Sequence, residues 1–567
     1  MTHVPEPQGF LHALATGRLD WERLRGAPGR DAGERQEGER VAAEIAEFLE
    51  KRVDPDEVDR TGELPAGLLD EIRGRGYFKL RNDEAVGGLA LGSYEALRVI
   101  ERASRHSVAV GQLIAIPNAV GASALIPALP EGRVRDFVTR RVAEGAISGF
   151  GVTEAAGQNN AWTGMTATRA PDGSGHVLRG EKLFTGNGPV ADLLAVAATE
   201  GEGAERRLVV AFVDTADSPG FRVASEIGFV GSKGLPNAAL RFDDVYVPAD
   251  RVLRGEPGDP RMSAAMRSVV LTGQLYFTAA PAMAVARQCL LWTREFIDER
   301  TIDGRGLGAY DLIQRIAATT RAEVYAMESV LERSLAGEGA DGRWFERMAA
   351  KNLSVGTAWR IVDRTVSLFG GAGLETVASK RRRGASPVPL ERAFRDARGL
   401  RVAGNVDFQL DQQLGRRLLT ECFLTPGEEA APLVSGSPQV PGDDDLSPAN
   451  LAHLSETARQ VHQLYGSCRE LVADHADPDD LFRNQEAVAL VARIAAELFA
   501  VSAVLARAGR ASGEDGGGEQ ALADVHCTAA WHRVAGLRRA LDACRDTGSR
   551  PDYSAISHSQ PMMGHDS

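Results

Sequence analysis

GFGVTEAAGQNN, from Gly149 to Asn160, is the stretch at which the hydrophobic pattern of this 567-residue sequence changes. It begins as a short strand and runs into small and amide residues, whose backbone a ligand can approach closely. The pattern before it is helical, and the pattern after it is one of short strands. The stretch therefore predicts a boundary between a helical domain and a β domain, with accessible backbone at that boundary.

On either side of this boundary, hydrophobic periodicity divides most of the chain. Residues 33–146 place apolar residues three and four apart, which predicts an N-terminal helical domain. Residues 147–255 form short alternating runs between turn residues, which predicts a β-sandwich or barrel. Residues 260–425 return to long helical periods and predict a four-helix bundle. The fold class predicted is mainly α with a central β domain.

The remaining segments are distinguished by composition. Residues 427–448 are rich in proline, glycine and acidic residues, which is typical of a linker. Residues 449–546 predict an extra C-terminal helical module, and residues 547–567 predict a disordered tail. The longest uncharged run, residues 107–130, is broken by prolines, so we expect buried helices there and no membrane span.

Charge and cysteine usage exclude several classes of function. The 65 basic and 78 acidic residues give a net charge of -13, which disfavours nucleic acid as a partner. The five cysteines form no CxxC pair, so neither a zinc ribbon nor a disulfide framework is predicted. The close spacing of His526, Cys527 and His532 is interpreted as coincidence, and no metal site is predicted. The N-terminus lacks the pattern of a signal peptide, and a cytoplasmic location is expected.

Several further phrases follow Gly149–Asn160 in a fixed order. They are GEKLFTGNG from Gly180, FDDVYVP from Phe242, FGGAG from Phe369 and RDAR from Arg395. Each alone reads as an ordinary turn or helix cap. Their joint order from about residue 40 to 425 resembles the acyl-CoA dehydrogenase flavoprotein family, and the C-terminal module is similar to the extension of its longer members.

The resemblance implies FAD as the cofactor and an oligomer, dimer or tetramer, in which a neighbouring subunit completes each site. Val152 and Thr153 match the family's flavin-ring contacts, and Phe184 matches its usual tryptophan. The family's pyrophosphate-binding serine falls at Gln158 or Asn159, either of which has an amide that can donate to a phosphate oxygen.

Further matches belong to the bundle. Arg300 matches the family's partner-subunit arginine, with Asp303 where a phenylalanine normally stands, and Phe369, Gly370 and Gly371 match its diphosphate-binding glycine phrase. The resemblance also assigns Asn405 and Asp407 to the cofactor site.

The expected catalytic glutamate is missing. It normally follows RDA and removes the proton next to the thioester carbonyl. Here its place falls at Ala403 or Gly404, depending on the alignment, and neither accepts a proton. The family's alternate seat on an earlier helix falls at Gly273. Asp407 is a weak substitute, and Asp311 and Glu375 are weaker ones.

A second departure lies in the β domain, where Gly186 replaces the hydroxyl residue that bonds flavin N5 in the family. Thr185 is adjacent, but on a strand it points to the other face. The catalytic residue is therefore left unknown.

Three functions follow from these observations. The first is a FAD-dependent oxidoreductase acting on an acyl thioester of CoA or a carrier protein, or on a related small molecule, with an atypical site and an unassigned electron acceptor. The second is a flavin-dependent monooxygenase of the same fold, which needs no thioester base. The third is a non-catalytic subunit that keeps the fold for assembly.

Overall fold

The computed structural model describes residues 9–26, 29, 31–336, 343–425, 442–511 and 514–545, with positions 553 and 557. The predicted tail and most of the predicted linker lie outside the described residues. The helices that form the N-terminal domain begin with side-chain caps at Asp31 and Asp54. They are α3 Ala32–Arg52, α4 Pro55–Thr61, α5 Leu68–Gly74, α6 Ser93–His106, α7 Val108–Ala119, α8 Ala122–Leu125 and α9 Arg133–Ala143.

Helix α7 is apolar on all sides and is completely buried. It contains Pro117 in its last turn, where the helix ends at Ala119. The neighbouring Asn118 accepts a bond from the Leu80 amide at 2.8 Å and donates to the Tyr77 carbonyl at 2.8 Å. These bonds fix the end of α7 to the Tyr77–Leu80 segment of the same domain.

The β domain is one eight-stranded mixed sheet. Its strands are β1 Ser148–Gly151, β2 Thr166–Arg169, β3 Gly175–Gly186, β4 Leu193–Glu200, β5 Arg207–Asp214, β6 Phe221–Glu226, β7 Asn237–Pro248 and β8 Val252–Arg254. The order is β6-β7-β3-β2-β4-β5-β8, with β1 pairing in parallel to β4. Side chains from β3, β4, β5 and β7 share one core, so the sheet folds over itself.

Strands β4 and β5 are buried on both faces. Leu194 and Val196 point into the core of the β domain. Leu193 and Ala195, on the alternate face, pack against α8 and α9. This double burial explains why these strands read as continuous apolar runs, and it attaches the sheet to the N-terminal helices.

The bundle follows, and its helices are α10 Ala264–Gln274, α11 Ala280–Glu299, α12 Asp311–Leu335, α13 Trp344–Phe369, α14 Gly371–Leu374, α15 Val377–Arg382, α16 Leu390–Leu400 and α17 Asp407–Leu419. A π-helical turn, Leu275–Ala279, joins α10 to α11. A two-stranded hairpin, β9 Thr301–Ile302 and β10 Arg305–Gly306, follows α11. The central β domain between helical domains is as predicted.

The C-terminal module consists of α18 Pro448–Ala473, α19 Pro478–Arg483, α20 Gln485–Arg510 and α21 Glu514–Arg545. It packs on the bundle through α12 and α17. Two short helices that sequence reasoning left unassigned, α1 Phe10–Ala15 and α2 Trp21–Arg25, also pack on it. The Trp21 indole donates to Asp443 at 3.0 Å, so the end of the predicted linker is part of the folded body.

Three helical stretches, within Val108–Ala128, Ala264–Glu299 and Gln485–Arg510, are long and apolar enough to cross a membrane. Within the fold they are mostly buried, at 89%, 72% and 89%. All five cysteines are buried, and none of them forms a disulfide. Among the described residues, no group of three or more His, Cys, Asp or Glu side chains is placed to hold a metal ion.

Candidate active site

A cleft of about 690 Å³ lies between the β domain, α7 and the bundle. A cavity of this size accommodates a cofactor or small ligand. Its walls combine aromatic, aliphatic and amide side chains. They include Gln112, Thr153, Gln158, Asn159, Phe184, Phe229, Val230, Phe277, Arg398, Val402, Ala403, Gly404 and Asn405.

The TEAAGQNN segment is anchored by its glutamate. Glu154 accepts bonds from the Lys182 ammonium at 2.6 Å and from the Met165 amide at 2.9 Å. Burial alone would raise the pKa of Glu154, but these hydrogen bonds hold it below its usual value. The ion pair fixes the segment, while the amides of Gln158 and Asn159 stay exposed in the cleft.

Phe184 stands where strand β3 is irregular. The β3–β7 register shifts between Lys182 and Thr185, and Phe184 has a positive φ of 54°. Its side chain is 55% exposed and stacks on Phe229, with ring centroids 6.3 Å apart. The β3 irregularity thus presents an aromatic face to the cleft.

A side chain at Gly186 would require the end of the Ile116 side chain to move. A Cβ at this position would lie 2.5 Å from Cδ1 of Ile116 on α7. Thr185 is buried and does not line the cleft. The space used by the family's hydroxyl residue is therefore filled by an apolar group from the neighbouring domain.

The segment after α16, which we call the cleft loop, comprises residues 402–406. Amides of Val402 and Ala403 donate to the Gly399 carbonyl at 3.0 Å, and Gly404 and Asn405 have φ of 61° and 92°. Both predicted positions of the missing base, Ala403 and Gly404, line the cleft. None of the described lining residues is Asp, Glu or His.

The substitute carboxylates are held elsewhere. Asp407 begins α17 outside the lining set and accepts a bond from the Arg401 guanidinium at 2.8 Å. Burial opposes ionisation, but that bond keeps the pKa of Asp407 below its usual value. Glu375 pairs with Arg383, and Asp311 begins α12, both outside the lining set. An ionised carboxylate already bound to arginine is a poor proton acceptor.

Gly273, the predicted alternate seat, does not face the cleft. A Cβ there would lie 2.1 Å from the Ala119 carbonyl oxygen. The π-helical turn that follows inserts one extra residue and rotates the helix face. The residue from this region that lines the cleft is Phe277, and Gln274 lies against Gly404.

The residues predicted for a partner's cofactor form a separate, exposed cluster. The guanidinium of Arg300 lies 5.0 Å from the centroid of the Phe296 ring, which stacks on Phe369 at 4.2 Å. Gly370 has φ of 60°, and Gly370 and Gly371 have open space where a Cβ would stand. These four predicted residues, with Val152, Gly186 and Asp407, do not line the cleft of their own chain.

RDAR has a structural role that sequence reasoning missed. Asp396 is buried and accepts the Ser232 amide at 2.6 Å, while Arg395 pairs with Asp59 at 2.8 Å. Burial raises the pKa of Asp396 to about 6. The RDAR phrase thus connects the bundle to the β6–β7 loop and to α4. Its three charged residues in four positions were the sequence signal that could have indicated these ion pairs.

Comparison with known proteins identifies the family of the chain. The acyl-CoA dehydrogenase N-terminal, middle and C-terminal domains match residues 35–146, 149–245 and 271–418, together more than half of the chain. The chain belongs to the acyl-CoA dehydrogenase family. The recognition made from the ordered motifs is confirmed, and so is the fold class.

Two of the relatives of this family member differ in how much of the chain they match. It is 29% identical over 569 residues to "Probable acyl-CoA dehydrogenase FadE10" of Mycobacterium tuberculosis strain H37Rv, covering 94% of this chain and 86% of that protein. It is 26% identical over 373 residues to benzylmalonyl-CoA dehydrogenase of Aromatoleum aromaticum, covering 64% of this chain and 92% of that protein.

A solved structure shares the whole architecture. The crystal structure of an acyl-CoA dehydrogenase complexed with FAD from Bacillus anthracis superposes with a TM-score of 0.77 at 17% identity, covering 96% of this chain and 93% of that one. At this identity the match shows the fold, which extends over the C-terminal module.

The cleft residues of this family member fit FAD. A flat ring system needs apolar walls and amide partners, which Phe184, Thr153 and Asn405 supply. Gln158 and Asn159 offer exposed amide donors for phosphate oxygens. FAD is the cofactor expected of the family, and these residues would hold its flavin ring and its phosphates.

Proposed function

We propose that this protein is a FAD-dependent oxidoreductase of acyl thioesters, or of a related small molecule, with an atypical active site. The observation that carries the proposal is the cleft. It joins the TEAAGQNN segment, Phe184 and the cleft loop after RDAR in one cavity. Bound FAD would supply a hydride acceptor.

The chain's own residues determine the rest of the chemistry. Phe184 and Phe229 form an aromatic wall, and the β domain and bundle enclose the reacting groups. Arg398 is an exposed cation on the rim, suited to an anionic part of the substrate. No described lining residue takes a proton near neutral pH, so the proton would pass to solvent or to a group outside the lining that the structure describes.

The visible spectrum of the purified protein tests the proposal. We expect flavin absorbance, and anaerobic addition of a panel of acyl-CoA and acyl-carrier thioesters is expected to bleach it with at least one member. A protein that is isolated without flavin and does not bind added FAD would overturn the proposal.

The absence of a carboxylate from the lining set also supports a second candidate, a flavin-dependent monooxygenase. Such chemistry activates oxygen and needs no α-proton base. Oxygen-dependent hydroxylation by the reduced protein, with no bleaching by acyl thioesters, would favour it. Silence in both assays, together with a co-purifying intact homologue, would favour a non-catalytic subunit.

We further propose a homo-oligomer, dimer or tetramer, in the cytoplasm and without a membrane span. The exposed Arg300 cluster, separate from the chain's own cleft, supports the first statement. The five buried cysteines, which form no disulfides, and the burial of the apolar helices support the others. Sedimentation of the purified protein tests the oligomer, and a monomer would refute it. Fractionation of cells tests the location, and recovery of the protein with the membranes would refute a cytoplasmic protein without a membrane span.

A further inference from the structure

The cleft loop has a shape that its own sequence does not stabilise. Two successive residues, Gly404 and Asn405, adopt positive φ, and the second has a side chain. Positive φ is unfavourable for most residues that carry a side chain, although asparagine tolerates it better than others. Hydrogen bonds from outside the loop help to hold this conformation.

Helix α13 supplies the first set of ties. Lys351 is completely buried, and its ammonium donates to the Asn405 carbonyl at 2.7 Å. The neighbouring Asn352 donates to the Asp407 carbonyl at 2.7 Å. Burial lowers the pKa of Lys351 to about 8, against the opposing effect of Asp407 and Asp411. The hydrogen bond to the Asn405 carbonyl stabilises the Lys351 ammonium in this buried position.

The C-terminal module supplies the second set. Asp411, one turn into α17, accepts bonds from Asn352 at 2.7 Å and from the Arg493 guanidinium of α20 at 2.7 Å. Further along, a Cβ at Gly415 would lie 1.9 Å from the Val488 carbonyl oxygen, so α17 and α20 cross in backbone contact. Helix α17 continues directly from the cleft loop, and it is fixed between α13 and α20.

We propose that the C-terminal module and α13 together position the cleft loop, with Arg493 and Lys351 as positioning residues that act through Asp411 and the Asn405 carbonyl. The module thereby contributes to the active site without lining it. The active-site role of the module rests on the function proposed above for the cleft, but the test needs neither bound FAD nor turnover.

Hydrogen exchange of the peptide spanning residues 400–410, followed by mass spectrometry, is the test. This peptide contains the hydrogen-bonded amides of Val402, Ala403 and Asp407. We expect Arg493→Met to accelerate exchange about threefold, since a partly exposed ion pair is lost. We expect Lys351→Met to accelerate it about tenfold, since a buried charged hydrogen bond is lost.

The matched control is Arg483→Met, because Arg483 lies in the same module and pairs with Asp480 of its own helix. It is expected to leave the 400–410 peptide unchanged, and Arg493→Lys is expected to restore most of the protection. Circular dichroism checks folding, and Arg493→Met decides the matter if Lys351→Met does not fold. Wild-type exchange in the folded Arg493→Met variant, or equal acceleration in Arg483→Met, would overturn the proposal. A protein that binds no FAD but shows the expected exchange would refute the function alone.

Discussion

At the scale of single residues, the side chains at and near the expected position of the base are either too small to accept a proton or already bound to arginine. Ala403 and Gly404 occupy the two positions at which a base was expected, and Asp407 is bound to Arg401. The two small residues differ in backbone conformation and in the space available for a side chain. Gly404 has φ of 61° and its Cβ would lie 3.3 Å from Thr278, whereas Ala403 already carries a Cβ.

This difference predicts the outcome of restoring a carboxylate. Ala403→Glu is expected to raise the rate of anaerobic flavin bleaching by an acyl-CoA about 10²-fold, the low end for a positioned base. Gly404→Glu is expected to lose about 1–2 kcal/mol of unfolding free energy and to gain no rate. Stopped-flow absorbance and urea denaturation measure the two effects. Ala403→Gln is the control, and equal rates for Gln and Glu at this position would contradict the prediction.

Asp396 predicts a pH dependence of stability. Burial raises its pKa to about 6 from an ordinary value of 3.8, so the native state holds a proton that the unfolded state releases. Its stabilising contribution is full below pH 4 and is lost as pH rises through 6. Asp396→Asn keeps an acceptor for the Ser232 amide and removes the charge. We expect the wild-type free energy of unfolding, relative to Asp396→Asn, to fall by roughly 1–3 kcal/mol from pH 4 to 7. A flat difference in urea denaturation would show that Asp396 is not buried in this way.

At the scale of elements, the unusual contact is that of β3 with α7. Ile116 fills the space in front of Gly186, so the two domains are adapted to each other at this point. The sequence shows the glycine but not its partner, because the contact joins residues 70 positions apart.

A double-mutant cycle tests this adaptation. Gly186→Ser alone is expected to cost about 1–3 kcal/mol of unfolding free energy through overpacking. In an Ile116→Val background, which lacks Cδ1, we expect this cost to fall by about 1 kcal/mol or more. Denaturant titration of all four proteins gives the coupling. Strict additivity would mean that Ile116 does not restrict position 186.

Sequence reasoning succeeded where the signal was local. Helical periodicity and strand alternation gave the domain order, and the TE, GEK and RDAR phrases brought Thr153, Phe184 and Ala403 to one cleft. It failed where the determinant was distant or shifted. Helices α1 and α2 are short and depend on contacts such as Trp21 with Asp443. The packing of Gly273 against the Ala119 carbonyl could not be predicted either, because that contact joins segments far apart in the sequence.

At the scale of the whole molecule, the proposed shared site would use two separate surfaces of one chain. Its cleft carries Asn159, and its separate cluster carries Arg300. If each site combines the cleft of one subunit with the cluster of another, defects in the two halves must complement.

Mixed oligomers test this arrangement. Asn159→Asp places negative charge against the diphosphate and Arg300→Ala removes the partner's cation, so each homo-oligomer is expected to lose most of its FAD. Co-expressed, differently tagged variants form pairs with one intact site and one doubly defective site. We expect about half of the wild-type flavin content in such pairs, measured by absorbance. A mixed oligomer with no more flavin than its parents would rule out shared sites.

The buried cysteines give this protein built-in reporters of its own opening. Cys289 lies in α11 of the bundle, and Cys468 lies in α18 of the C-terminal module; burial raises the pKa of both thiols to about 12. A thiol in that state is almost unreactive toward alkylating agents until its helix separates from its neighbours. Peptide-resolved alkylation therefore times the opening of each helical body separately. It would reveal whether the module and the bundle unfold as one cooperative unit or as two.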